Sequence, residues 1–147
     1  MIAAADLELA QLPPQKLIAL TAWGEARGEG ARGMQGVINV ILNRASHARW
    51  WGTSPTEVCL RSHKGVYQFS CWSPGDPNRA KMLEVTAYNN LYREAYRLAG
   101  AALEGKLPDI TLSADHYHSI LIRTPAWAKG RLPTVFINNH VFYRLEI

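Results

Sequence analysis

The stretch Trp23-Gly24-Glu25-Ala26-Arg27-Gly28-Glu29 decides how this chain is read. It closes an apolar run that begins after Pro13-Pro14, and a second amphipathic run follows almost at once. Pro13-Pro14 suits the first turn of a helix. Leu17, Ile18, Leu20, Thr21 and Trp23 then share one face at helical spacing, and the glycine-rich segment from Gly24 to Gly30 is expected to end that helix. Met34, Val37, Ile38, Ile41 and Leu42 follow the spacing of a second helix, closed by Asn43-Arg44, which should brace the first. A carboxylate at such a junction can be half buried and still reachable, as an acid catalyst must be. The local sequence taken alone favours the other reading, in which Glu25 and Glu29 are a solvated pair beside Arg27 and Arg32, because charges at helix ends are usually solvated.

Downstream, Ser54-Pro55-Thr56-Glu57 reads as a capping box with proline at the first helical position, and it predicts a short helix through Leu60. Turn signals at Gly65 and Pro74-Gly75-Asp76-Pro77 surround Tyr67, Phe69 and Trp72, so residues 61–78 read as an ordered loop with a strand near 67–70. Strong helix formers from 79 to 103 predict one long helix, with Leu91, Ala95, Leu98, Ala99 and Ala102 on one face and Gly105 as its cap. Residues 110–119 and 135–145 are β-branched or aromatic-rich and partly alternating, and Pro125, Gly130 and Pro133 break the span between them. A small hairpin-like β element is expected there. The simplest organisation is one α+β, mainly α domain over residues 1–147, with 1–12 as an N-terminal lead-in.

At 147 residues the chain can bury a real core, and 48% apolar with 19% charged residues is a globular composition. The formal net charge of +4 suits an anionic partner such as a cell-wall polymer, but the Lys and Arg residues are scattered, so no nucleic-acid stripe is indicated. No apolar stretch approaches the roughly 20 residues of a membrane span, and no stable membrane association is expected. Met1 to Ala10 lacks a basic region and is interrupted by Asp6 and Glu8, so it does not read as a signal peptide. Cys59 and Cys71 make neither a disulfide framework nor a metal pattern; reduced thiols are the simpler reading, with one disulfide open in an oxidising compartment.

Near the end of its helix Glu25 meets unpaired carbonyls, and Trp23 with the neighbouring helices can add desolvation. Both favour the protonated form that a general acid needs near neutral pH. Arg27, two positions on, would point elsewhere on a helix. His116-Tyr117-His118 on a strand places two imidazoles on one face, and His140 lies in the partner strand. Three such ligands are one reading, a catalytic zinc; polar and aromatic lining of a groove is the other, favoured because no HExxH-like spacing accompanies them. Trp50, Trp51, Tyr67, Phe69, Trp72, Tyr117, Trp127 and Tyr143 form a rich aromatic set, suited to core packing or to stacking on sugars and bases. Neither Ser70 nor Cys71 has the context of a nucleophile.

Taken together, these pieces resemble the SleB-type cell-wall hydrolase family of spore cortex-lytic enzymes and phage endolysins. The likeness rests on Trp23 to Glu29, on Gly36-Val37-Ile38-Asn39-Val40-Ile41-Leu42-Asn43-Arg44, and on Gln68-Phe69-Ser70, Pro125-Ala126-Trp127 and His140-Val141-Phe142-Tyr143, in the family's order. Asn138 stands where a glycine is common; asparagine tolerates a left-handed backbone.

The resemblance implies a lysozyme-like fold with a small β-hairpin element beside a sugar groove. It implies cleavage of the β-1,4 bond between N-acetylmuramic acid and N-acetylglucosamine, with Glu25 as the acid and neither metal nor cofactor. Glu29, Gln68, Phe69, Ser70, Tyr117, Trp127, His140 and Tyr143 fall where substrate-binding or supporting residues would lie. A lytic transglycosylase works with a single carboxylate and leaves a 1,6-anhydro end. The alternatives are a hydrolytic muramidase, which needs a second carboxylate across the bond, and a non-catalytic glycan-binding module. The expected setting is a monomeric phage endolysin acting on peptidoglycan, made in the cytoplasm and released to the wall through a holin.

Overall fold

Helix α1, Pro14–Ala26, carries Pro14 in its first turn, as expected, but it is not the one-faced helix its spacing suggests. Leu17 through Gly24 are all buried, and so is Ala26. The reason is its position: in the computed structural model, which describes Met1–Ile147, α1 is the central rod against which four other helices pack. These are α2 (Gly30–Ser46), α3 (Pro55–Leu60), α4 (Pro77–Glu84) and α5 (Asn90–Leu103). A helix enclosed on all sides has no solvent stripe to preserve. Its buried hydroxyl, Thr21, donates to the Leu17 carbonyl at 2.8 Å and accepts from the Trp72 indole at 3.0 Å, so no polar cost remains.

The glycine segment differs from expectation too. Helix α1 runs through Gly24 and Glu25, a short 3-10 turn covers Arg27–Glu29, and Gly30 at φ +70° turns the chain directly into α2. Gly24 serves packing rather than a bend. A Cβ there would lie 2.4 Å from the Met82 sulfur and 3.1 Å from the Cys71 Cβ, so only glycine lets those side chains close on the helix.

Helix α2 follows the expected amphipathic pattern, with Met34, Val37, Ile38 and Ile41 buried. In α3 the Ser54 hydroxyl accepts the Glu57 N–H at 3.2 Å; the Glu57 carboxylate takes the Thr53 hydroxyl at 2.8 Å instead of completing the reciprocal box. The long helix expected over 79–103 is two helices. Asp76 caps α4 ahead of Pro77, and Asn89 caps α5 by accepting the Tyr92 N–H at 3.0 Å. Capping at Asn89 shifts the buried face of α5 to Tyr92, Ala95, Leu98 and Ala99, leaving Leu91 exposed. Gly105, at φ +72°, ends α5 as expected.

The residue 61–78 segment is not a loop with a strand at 67–70. It holds a tight hairpin, β1 (Ser62–His63) with β2 (Val66–Tyr67), and then a 3-10 turn at Ser70–Trp72. The C-terminal β element is larger than a hairpin: β3 (His116–Ser119), β4 (Val135–Ile137) and β5 (His140–Tyr143) form an antiparallel sheet in the order β3-β5-β4. Asn138, at φ +51°, makes the β4–β5 turn in place of glycine. The sheet docks on α2 through Val40, Ala114, Ile137 and Phe142; the Phe142 ring would lie 2.6 Å from a Cβ at Gly36. The N-terminal lead-in is tied into the body of the fold. Asp6 is fully buried, ion-paired with Arg79 at 2.8 Å and bonded by the Tyr67 hydroxyl, which ties residues 1–12 to the β1–β2 hairpin and to α4. No helix is long and apolar enough to cross a membrane.

Candidate active site

Glu25, in the last turn of α1, lies at the base of a cleft of about 1160 Å³. One wall comes from the β1–β2 hairpin with Gln68, Phe69 and Ser70, the other from β3 with Pro125, Trp127 and His140. Each wall holds one oxygen of the carboxylate. The Tyr117 hydroxyl, on β3, donates to Oε1, and the Cys71 backbone N–H donates to Oε2 at 3.3 Å. The second contact depends on Gly24, which lets Cys71 approach α1. Burial pushes the Glu25 carboxyl above its ordinary range; the bonds from Tyr117 and Cys71 pull against that without cancelling it. Burial and the adjacent Glu25 raise the Tyr117 phenol well above its own usual range, so it stays neutral and remains a donor.

The partners weighed for Glu25 in the sequence point away from it. Arg27 folds over the Trp23 ring at 4.2 Å and donates to the Trp23 carbonyl at 3.2 Å and to Asn78 at 2.7 Å. Glu29 is not part of the cleft lining. Its carboxylate accepts the Asn139 N–H at 2.7 Å, and its carbonyl accepts the Asn138 amide at 2.8 Å, so it clamps the β4–β5 turn. Among the residues that line the cleft, Glu25 is the single carboxylate.

Strand period sorts the remaining residues. Pairing of β3 with β5 sets Tyr117, Ser119, His140 and Phe142 on one face, and His116, His118, Val141 and Tyr143 on the other. The first face turns Tyr117 toward Glu25, with the Tyr117 ring packed on His140 at 5.2 Å and on Phe142 at 5.6 Å. The second builds an aromatic platform in which Trp127 packs on His116 at 5.1 Å, on His118 at 5.6 Å and on Tyr143 at 5.4 Å, and stays 38% exposed, enough to offer a face to a ligand. His140 therefore sits on the opposite face from His116 and His118, and the three imidazoles do not converge as metal ligands; no other group of three or more His, Cys, Asp or Glu is arranged to hold an ion. Tyr143, placed at the groove from sequence, does not line it; its hydroxyl supports His118 Nε2 from behind at 3.0 Å. His140 is 7% exposed, its Nδ1 has no partner within the protein, and burial lowers its pKa. Phe69 is a floor residue at 2% exposure, whereas Ser70 is exposed. Cys59 and Cys71 are both buried free thiols, and burial pushes the Cys59 pKa up to about 12.

Sequence reasoning missed the supports behind these residues. Arg44 is buried; its Nε donates to the Asp115 carbonyl at 2.8 Å and its Nη1 to the Gln68 side chain, while the Gln68 amide donates to the Trp51 carbonyl at 2.8 Å. Asn43 donates to the Ala114 carbonyl at 2.9 Å. The Asn43-Arg44 pair thus ties α2 to the start of β3 and, through Gln68, to the opposite wall. Asp115 is fully buried and accepts the N–H groups of Leu145, Glu146 and Ile147 at 2.7 to 2.9 Å, together with His116 Nδ1 at 2.8 Å. Burial opposes its charge, but these bonds outweigh that and hold its carboxyl below the usual range. Little in the local sequence distinguishes Asp115 from a surface aspartate, because the three backbone N–H groups that it accepts lie about 30 residues away.

Comparison with known proteins identifies the fold and the family. The catalytic domain of the germination-specific lytic transglycosylase SleB from Bacillus anthracis superposes with a TM-score of 0.67 at 23% identity, over 89% of this chain and 93% of that one. The catalytic domain of the Bacillus cereus SleB protein gives 0.66 at 23% identity, over 89% of each chain. At that identity the likeness speaks for the fold, which is lysozyme-like. No curated protein matches the chain by sequence. The profile of the cell wall hydrolase family matches residues 28–143, beginning three residues after Glu25, so the case for that carboxylate is geometric. With most of its length inside that match, the chain belongs to the cell wall hydrolase family and is a peptidoglycan-degrading enzyme.

Proposed function

We propose that the chain is a lytic transglycosylase that cleaves the β-1,4 bond between N-acetylmuramic acid and N-acetylglucosamine with Glu25 as its only acid. The observation that carries this reading is that a single carboxylate lines the cleft, held through both oxygens and biased by burial toward its protonated form. A hydrolase of the two-carboxylate type needs a second Asp or Glu about 5 Å or more away across the bond. Glu29, the nearest candidate in sequence, is bound to the β4–β5 turn instead.

In the proposed reaction the Glu25 carboxyl protonates the glycosidic oxygen, and the C1–O4 bond breaks to release the N-acetylglucosamine 4-hydroxyl. The Glu25 carboxylate then takes the proton of the muramic acid C6 hydroxyl as O6 bonds to C1. A 1,6-anhydro ring forms, Glu25 returns to its starting protonation state, and no water is consumed. Tyr117 and the Cys71 N–H fix the carboxylate and stabilise it in the interval when it carries charge. The structurally similar domain from Bacillus anthracis belongs to a lytic transglycosylase, which supports the same reading.

Mass spectrometry of muropeptides released from purified sacculi tests it. The expected products carry anhydro ends, one water lighter than reducing ends; reducing ends alone would establish a muramidase, and binding without release would establish a glycan-binding module. The corresponding biological proposal is a monomeric phage endolysin that reaches the wall from the cytoplasm through a holin. It predicts lysis only when a holin is co-expressed, and lysis of cells expressing the chain alone would refute that route.

A further inference from the structure

One wall of the cleft carries charge that the proposed chemistry does not use. Arg61 and Lys64 both line it, and Lys64 sits at the tip of the β1–β2 hairpin, where Lys64 at φ +50° and Gly65 at φ +78° make a two-residue turn that projects the side chain outward. The ion pairs of the protein use Arg49, Arg79, Arg97, Lys106 and His116, which leaves both rim cations free of carboxylate partners. The rim is also firmly placed. The Gln68 N–H donates to the Arg61 carbonyl at 3.1 Å, and Tyr67 is bonded to buried Asp6.

In the intact polymer the glycan backbone gives such a rim nothing to bind, because its N-acetyl groups are neutral and the lactyl carboxyl of each muramic acid is tied up as the amide to its peptide. The anionic groups of the polymer hang from the lactyl ether of muramic acid, as the carboxylates of the attached peptide. With Glu25 as the only carboxylate in the lining, and biased to its neutral form, the cleft lining is net positive, and Arg61 and Lys64 lie together on its β1–β2 wall. We propose that Arg61 and Lys64 recognise the carboxylates of the peptide stems, so that the cleft selects muramic acid units bearing acidic peptides over naked glycan. This rests on the glycan-cleaving reading above and adds to it the substrate class.

Binding separates the two claims. The Glu25→Gln chain is co-sedimented with three polymers: sacculi freed of teichoic acid, the same sacculi with carboxylates converted to amides, and strands stripped of peptide by an amidase whose newly exposed lactyl carboxylates are likewise converted to amides. Retention on the untreated sacculi should exceed retention on the other two by about tenfold at low salt, as expected for two exposed charge pairs. That advantage should shrink with added salt and disappear in a chain that also carries Arg61→Gln and Lys64→Gln. Equal retention on the native and amidated sacculi, or a double variant that loses equally on all three polymers, overturns the proposal. Product release by the unaltered chain judges the catalytic reading on its own: absence of any glycan cleavage would remove that reading, and the binding comparison would still decide the rim.

Discussion

Replacing Tyr117 with phenylalanine isolates one hydroxyl at the site. The ring keeps its packing against His140 and Phe142, while the bond to Glu25 Oε1 is lost. That bond favours the charged carboxylate, so its removal raises the Glu25 pKa further above the ordinary range. A hydrogen bond to a charged acceptor is worth about 1.5–3 kcal/mol. At about 1.4 kcal/mol per unit, this corresponds to an upward shift of roughly one to two units. The acid form of Glu25 does the protonation, so kcat/KM falls as pH rises through the Glu25 pKa. The alkaline limb of the pH profile should therefore move up by about that amount in Tyr117→Phe, while activity at the optimum falls roughly tenfold because the carboxylate is less well fixed. The assay is initial muropeptide release from sacculi between pH 4 and 9, with thermal melts to confirm folding. A limb that stays in place or moves to lower pH would refute Tyr117 as the group that sets the Glu25 proton affinity.

Further outcomes follow from the same geometry. Because burial raises the Glu25 pKa in the folded chain, its stabilising contribution is present below the unfolded value and is lost as pH rises through the folded one. Glu25→Gln should thus abolish cleavage yet melt about 2–4 °C higher than the unaltered chain at pH 8; a lower melting temperature there would contradict burial as the dominant influence. Asp115 is the opposite case. Its folded pKa is depressed, so its contribution is present above the unfolded value, near 3.9, and declines as pH falls below it. Asp115→Asn removes the charge and places an amide donor among N–H donors, which should cost about 3 kcal/mol by urea unfolding; a loss under 1 kcal/mol would refute the clamp. Glu29→Gln should lower the melting temperature by a few degrees through the β4–β5 turn and keep at least a tenth of the cleavage rate. Loss as complete as in Glu25→Gln would instead make Glu29 a catalytic partner.

Some parts of the molecule were legible because their causes are local. Pro14 starting α1, the apolar period of α2, the Ser54 cap and the left-handed turn at Asn138 each depend on residues within a few positions. The two helices read as one failed on a local signal as well: Asn89 is a cap whose competing helix formers on both sides masked it. Burial of α1 on every side was not local, since its sequence cannot state how many neighbours it will have.

The sequence by itself determined which residue types were available: a carboxylate at a helix end, an alternating His-Tyr-His strand and an Asn-Arg helix end. Tertiary structure alone decided what they became. It set Glu25 rather than Glu29 in the cleft by bringing Tyr117, 92 residues away, and the Cys71 N–H, 46 residues away, onto its two oxygens. It also carried Asn139 to Glu29 across 110 residues and so took that carboxylate out of contention. The physical reason is that a carboxylate's proton affinity depends on its desolvation and its donors, and both are supplied by chain segments that no local spacing specifies.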